Sequence, residues 1–183
     1  MNEKYIKRIS KFLSLILRHN PAKINLELDK NGWADVNELL SKAAKNKVKF
    51  TLEELKEIVK SNDKKRFSFN QDNTKIRANQ GHSLKNIDLE LTNIEPPAFL
   101  YHGTVAKFME AIKEKGLLKM SRQHLHLSKD RETAVKVGSR RGKPIILSIR
   151  AMDMHNKGHE FYCSANGIWL TNHVPAEFID FKN

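Results

Sequence analysis

Tyr101-His102-Gly103-Thr104 ends an apolar run. About twenty residues later, Ser121-Arg122-Gln123-His124-Leu125-His126-Leu127-Ser128 alternates polar with apolar side chains. Successive side chains of a strand point to opposite faces. An extended second stretch therefore sends His124 and His126 one way and Leu125 and Leu127 the other. Two polar strand ends of this kind make a floor for a polar ligand. Thr104 stands where it can cap a following helix with the face Val105, Phe108, Met109 and Ile112, and Gly116 stands at that helix's C-terminal position. A short helix from Asp130 to Val137 ends at Gly138, and Ser139-Arg140-Arg141-Gly142-Lys143-Pro144 reads as a basic loop. Strands are expected at 98–101, around Leu125, and at 145–149, 160–163, 167–171 and 178–181. Short strands with two helices predict an α+β unit over 98–183, built on two small sheets.

Residues 1–80 carry a different pattern. Ile6, Ile9, Leu13, Ile16 and Leu17 recur at helical spacing within 4–19, and Asn20-Pro21 ends that helix. Arg18 and His19 then fall in its last turn, beside free carbonyls that favour cations. That dipole match is one reading of the pair; a ligand site is the other. Asn31-Gly32 marks a turn and Trp33 a core anchor. Asp35 with Glu38, and Thr51 with Glu54, have capping-box spacing for a second and a third helix. Arg66-Phe67-Ser68-Phe69 and Lys75-Ile76-Arg77-Ala78 read as a hairpin turning at Asp72-Asn73-Thr74. Three short helices and a hairpin make a winged-helix pattern. Such a module holds nucleic acid with basic residues on a helix or on the wing, or serves protein contacts alone. Residues 81–97, ending at Pro96-Pro97, read as a connector whose Leu84, Ile87, Leu89 and Leu91 call for packing.

Charge divides unevenly along the 183 residues. The formal net charge is +12, with 18 Lys+Arg against 10 Asp+Glu in residues 1–80 and 15 against 11 in the rest. A basic N-terminal module favours a polyanionic partner through phosphate contacts and counterion release; a solvated lysine-rich surface is the plainer reading. No apolar run approaches the roughly 20 residues that span a membrane, and the N-terminus lacks the apolar core of a signal peptide. The single cysteine, Cys163, rules out an intrachain disulfide framework and points to a reducing, cytoplasmic setting. A monomer is the default expectation.

Several chemistries lack their signatures. His102, His124 and His126 are three possible metal ligands, but no cysteine pair or His-Glu-x-x-His accompanies them, so no metal is expected. There is no Walker-type loop and no Gly-x-Gly-x-x-Gly, so a nucleotide cofactor would need another kind of fold. Arg18, Arg66, Arg122, Arg140 and Arg141 lie at element ends or in loops. Guanidinium groups clamp phosphate oxygens in bidentate geometry, so several of them converging would recognise a terminal phosphate.

Taken in order, Ser14-Leu15-Ile16-Leu17-Arg18-His19, Asn31-Gly32-Trp33, Lys65-Arg66-Phe67, Gln80-Gly81-His82-Ser83, Leu100-Tyr101-His102-Gly103-Thr104, the Ser121–Ser128 stretch, Gly142-Lys143-Pro144 and Asn166-Gly167-Ile168-Trp169-Leu170 form a specific set. Through this set the chain closely resembles, almost end to end, the RNA 2′-phosphotransferase family. The resemblance implies an N-terminal winged-helix RNA lobe and a C-terminal ADP-ribosyltransferase-like lobe of two small sheets that binds NAD. It implies removal of an internal RNA 2′-phosphate, as at a tRNA splice junction. The route passes through ADP-ribosylated RNA and releases nicotinamide and ADP-ribose 1″,2″-cyclic phosphate. No metal takes part in it.

The resemblance also implies roles. Arg18, His19 and Arg66 match three members of the family's catalytic set, and Arg122 matches the fourth, with Arg140 as the alternative. His102, Gly103, Thr104, His126, Ser128 and Arg140 are implied on NAD, with His102, His126 and Val174 matching the first, second and third members of the ADP-ribosyltransferase triad. Two rivals differ in class. One is an ADP-ribosyltransferase that leaves ADP-ribose on nucleic-acid ends or on a protein. The other is a non-enzymatic winged-helix binder.

Overall fold

The computed structural model describes residues 2–181. The first helical repeat becomes α1 (Glu3–Arg18), whose Ile9, Leu13, Ile16 and Leu17 are wholly buried. Asn20-Pro21 stops it, leaving His19 as C-cap with its N–H on the Leu15 carbonyl at 3.0 Å. A two-residue strand, β1 (Ala34–Asp35), then leads into α2 (Val36–Lys45) and α3 (Leu52–Lys60). The hairpin strands β2 (Phe67–Phe69) and β3 (Lys75–Ala78) follow, and the sheet order is β1-β3-β2, all antiparallel. The core of this unit gathers α1 with Leu39, Leu55, Ile58, Phe67 and Ile76.

Both expected caps form, but only one is a full box. Thr51 and Glu54 exchange bonds at the start of α3, at 3.2 and 2.8 Å. At α2, Asp35 accepts from the Glu38 N–H at 2.8 Å, while the Glu38 carboxylate turns to Lys42 one turn on. Thr51→Ala is therefore expected to lower stability by about 1 kcal/mol, read as a shifted urea midpoint with an unchanged slope. Trp33 is not the core anchor its size suggested. It is half-buried, and the Arg77 guanidinium stacks over its ring at 4.4 Å.

The chain divides into two compact units, Met1–Glu90 and Leu91–Asn183. The connector stretch is divided between them. Asp88 donates its N–H to the Lys30 carbonyl at 2.8 Å in the first unit, and Ile94 donates to the Phe161 carbonyl at 2.9 Å in the second.

The second unit runs β4 (Phe99–Thr104), α4 (Met109–Lys115), β5 (Leu117–Leu118), β6 (Leu125–Leu127), α5 (Arg131–Gly138), β7 (Ile145–Arg150), α6 (Ala151–Asn156), β8 (Tyr162–Cys163), β9 (Trp169–Thr171), β10 (His173–Val174) and β11 (Ile179–Asp180). Its sheets are β11-β7-β4, β6-β9-β8 and β10-β5, all antiparallel. Among the described residues there are thus three sheets, not the two expected. A reciprocal backbone pair joins the first two: Tyr101 donates to Ser128 at 2.8 Å and Ser128 to Tyr101 at 2.7 Å. The core of this unit gathers Leu100, Leu127, Leu147, Ile149, Phe161 and Val174.

Two further local expectations are corrected here. Thr104 caps no helix: it is a buried strand end, followed by a 3-10 turn at Ala106–Phe108 and then α4, neither with a side-chain cap. Helix α6 was not expected, because six residues without a cap give no periodic signal; burial of Ala151 and Met154 holds it. Among the described residues the architecture is mixed α/β, with six α-helices and small antiparallel sheets. No helix among them is long and apolar enough to cross a membrane.

Candidate active site

In the N-terminal unit, three of the expected residues meet at the C-terminal end of α1. Because α1 stops at Pro21, His19 is left half outside the helix as its C-cap. Its Nδ1 lies 3.0 Å from the Ser83 hydroxyl, and the Ser83 N–H donates to the Arg18 carbonyl at 3.0 Å. Ser83 thus orients the His19 imidazole through Nδ1. Arg66 enters β2 with Nη1 donating to the Asn62 side-chain oxygen at 3.3 Å. His19 and Arg66, with Leu15, line a groove of about 360 Å³ along α1. Arg18 packs at the same corner, its guanidinium 5.8 Å from the centre of the Phe67 ring.

Beside this corner lies His82, fully buried, with neither ring nitrogen hydrogen-bonded. Burial, reinforced by the charges of Arg18, His19 and Arg77, pushes its pKa down to about 4. In the unfolded chain it takes a proton near pH 6.5. Because the folded value is the lower one, its stabilising contribution is complete above about pH 6.5 and is lost as pH falls towards 4. The expected loss from this group is about 3 kcal/mol by pH 4. Urea melts of wild type and His82→Gln at pH 7 and pH 4 should differ in pH dependence by that amount. Parallel pH profiles would show that His82 does not titrate this way.

In the C-terminal unit, β4 and β6 bring His102 and His126 together. His102 Nδ1 lies 3.3 Å from the His126 carbonyl, which can only accept, so the proton sits on Nδ1 and Nε2 is left as an acceptor. Burial lowers the His102 pKa, the bond to His126 opposes that, and the charge of Arg141 lowers it further. The neutral ring is therefore favoured. Arg122 Nη1 lies 3.2 Å from His126 Nδ1 and donates to it. Although Arg122 is exposed as a residue, protein atoms pack round its guanidinium; this partial desolvation, with Arg141 nearby, lowers its pKa.

The other expected residues divide. Gly103 is bare because α5 lies against it: a Cβ there would sit 1.9 Å from the Ala134 carbonyl oxygen. The close approach that glycine allows is that of helix to strand. Ser128 joins β4 to β6 through its backbone. Arg140 is exposed in a 3-10 turn, whereas its neighbour Arg141 is the arginine whose charge acts on both His102 and Arg122. Val174 is wholly buried on β10. His124 stands edge-on to Tyr162, 5.5 Å between ring centres. Among the described residues no group of three or more His, Cys, Asp and Glu is placed to hold a metal. Sequence reasoning missed Ser83 and His82 as site residues; their only signal was Gln80-Gly81-His82-Ser83, which read as connector.

Known proteins match this chain over nearly its full length. The family model described as RNA 2′-phosphotransferase, Tpt1 / KptA family matches residues 4–173. A Flavobacterium johnsoniae protein named probable RNA 2′-phosphotransferase is 59% identical over 183 residues, covering all of both chains. Proteins of the same name from Rhodopirellula baltica and Fusobacterium nucleatum are 50% and 53% identical, covering 98% and 95% of this chain and 97% of each relative. With a family model spanning both units and identities of this size from end to end, the chain belongs to the RNA 2′-phosphotransferase, Tpt1 / KptA family.

Proposed function

We propose that this chain is an NAD-dependent RNA 2′-phosphotransferase. In this reading the N-terminal unit is a winged-helix RNA lobe and the C-terminal unit an ADP-ribosyltransferase-like NAD lobe. The substrate is RNA with an internal 2′-phosphate, as at a tRNA splice junction, and the enzyme works as a cytoplasmic monomer. The observation that carries it is that His19 and Arg66 line one groove of the N-terminal unit, with the Arg18 guanidinium over the neighbouring Phe67 ring, in a chain of this family.

The donor set of the C-terminal unit fits a dinucleotide. Arg122 and Arg141 feel each other's charge, and among the described residues neither is paired with a carboxylate. A diphosphate would relieve that repulsion. His102, with Nδ1 committed to the His126 carbonyl, offers Nε2 to a ribose hydroxyl. Bound NAD supplies an activated ribose, which releases nicotinamide and carries the phosphate away as ADP-ribose 1″,2″-cyclic phosphate.

The chain's own residues then have separable tasks. Arg18 and Arg66 hold the RNA 2′-phosphate by its oxygens and orient it for attack, a contribution of positioning. In the second step the 2″-hydroxyl of the transferred ADP-ribose would bond to phosphorus as the bond from phosphorus to the RNA 2′-oxygen breaks, and negative charge would gather on the phosphoryl oxygens. The arginines, including Arg122, contribute most at that point. His19, oriented through Nδ1 by Ser83, contacts the phosphate and can deliver a proton to the departing 2′-oxygen.

The test is incubation of the purified protein with a short RNA carrying one labelled internal 2′-phosphate, with and without NAD and without added metal. NAD-dependent passage of label into ADP-ribose cyclic phosphate is the expected result. Label that stays on the RNA in the presence of NAD would overturn the reading, and stable transfer of ADP-ribose to a nucleic-acid end or a protein would replace it.

A further inference from the structure

We propose that the face of α1 bearing Lys7, Ser10, Lys11 and Ser14 is a track for the single-stranded RNA that flanks the 2′-phosphorylated nucleotide. The inference rests on the RNA-substrate reading above and extends it from the reacting phosphate to the neighbouring strand. All four residues line the groove that ends at His19 and Arg66. Their spacing, i, i+3, i+4 and i+7, puts them on one side of the helix, away from the buried side made by Ile9, Leu13, Ile16 and Leu17.

The chemistry of the stripe is one-sided. It offers two ammonium groups and two hydroxyls, and no residue lining the groove is acidic. Among the described residues neither Lys7 nor Lys11 has a carboxylate partner. Like charges four residues apart weaken a helix by a few tenths of a kcal/mol, so nothing in the fold itself calls for them. Backbone phosphates would neutralise both, the hydroxyls would reach phosphate or ribose oxygens, and Leu15 supplies an apolar floor for a sugar or base. An acidic peptide would also satisfy the charges. RNA is favoured because the stripe runs into the corner assigned to a phosphate of the same molecule.

The hairpin, where a winged-helix reading puts its basic contacts, is a poorer surface. Its turn carries Asp72, which accepts from both the N–H and the hydroxyl of Thr74, at 3.1 and 2.6 Å. Lys75, on the following strand, is paired with Asp29 at 3.4 Å. The charge that would follow an RNA strand therefore lies along α1.

The test compares two RNAs with one internal 2′-phosphate: a dinucleotide and an octanucleotide extended on both sides. Lys7→Ala/Lys11→Ala keeps the helix, since alanine is the best helix former. For the octanucleotide its KM should rise about tenfold with kcat little changed, and the slope of log KM against log salt should fall by about 1.4, two single-strand phosphate contacts. For the dinucleotide KM should stay near wild type. Lys45→Ala/Lys56→Ala removes the same charge elsewhere on the unit and should leave both substrates unaffected. An unchanged KM and salt slope for the octanucleotide, or equal losses in both double variants, would overturn the track while leaving the activity standing. An acidic peptide that binds the wild type in competition with the octanucleotide but not the α1 variant, with octanucleotide KM unchanged, would reassign the face to a protein. If wild-type protein leaves the 2′-phosphate on both RNAs, the functional reading fails and this inference fails with it.

Discussion

Arg66→Ala is expected to lower turnover of 2′-phosphorylated RNA about a thousandfold, with NAD binding retained. Removing one preorganised donor from a developing oxyanion costs about 10²–10³ in rate, and a bidentate guanidinium supplies two. At about 1.4 kcal/mol per decade, a thousandfold corresponds to about 4 kcal/mol of transition-state stabilisation. Little else should change. The side chain donates to Asn62 at 3.3 Å, and the carbonyl that receives the Asn79 N–H belongs to the backbone and stays. Arg66→Lys should recover little, because an ammonium keeps the charge but loses the planar fork. Single-turnover release of labelled phosphate, alongside calorimetry of NAD binding, separates the outcomes. Turnover within tenfold of wild type, or NAD binding lost with Arg66, would show that Arg66 does not hold the RNA phosphate.

Gly103→Ala is expected to destabilise the C-terminal unit by on the order of 4 kcal/mol, the far end of the range for single substitutions. The new methyl would lie 1.9 Å from the Ala134 carbonyl oxygen, 2.9 Å from its carbon and 2.9 Å from the Gly138 nitrogen. All three are backbone atoms, so no change of rotamer relieves the clash; β4 and α5 must separate. Interiors packed to crystal density do not absorb such a shift locally. Amide exchange should quicken in β4, α5 and β7, and the denaturation midpoint should fall. Loss of NAD binding without loss of stability would show instead that Gly103 faces the cofactor.

Much of the secondary structure was legible because it is local. The periodicity of Ile9, Leu13, Ile16 and Leu17, the stop at Asn20-Pro21, the Thr51–Glu54 box and the Gly116 C-cap act over a few residues, and each appears where the sequence places it. Errors arose where tertiary contact outweighed local chemistry. Thr104 has a capping side chain, but pairing with Ile145 keeps it in the strand. Trp33 has the bulk of a core residue, but its position leaves one face for Arg77. Helix α6 has no cap and exists because Ala151 and Met154 are buried.

The site divides in the same way. Sequence by itself determined the family, the types of residue and the two charged ends: an Arg-His pair at a helix stop, an arginine at a strand entry, and a histidine at the end of β4. These are properties of residue identity and short-range order. Only the tertiary structure placed the Ser83 hydroxyl on His19 Nδ1, because Ser83 lies 64 residues away along the chain. It alone showed that the His126 carbonyl lies on His102 Nδ1, that the charge of Arg141 acts on His102, and that α5 packs against Gly103. Hydrogen bonds and burial depend on which distant segments meet. Chain closure sets that, and no local pattern encodes it.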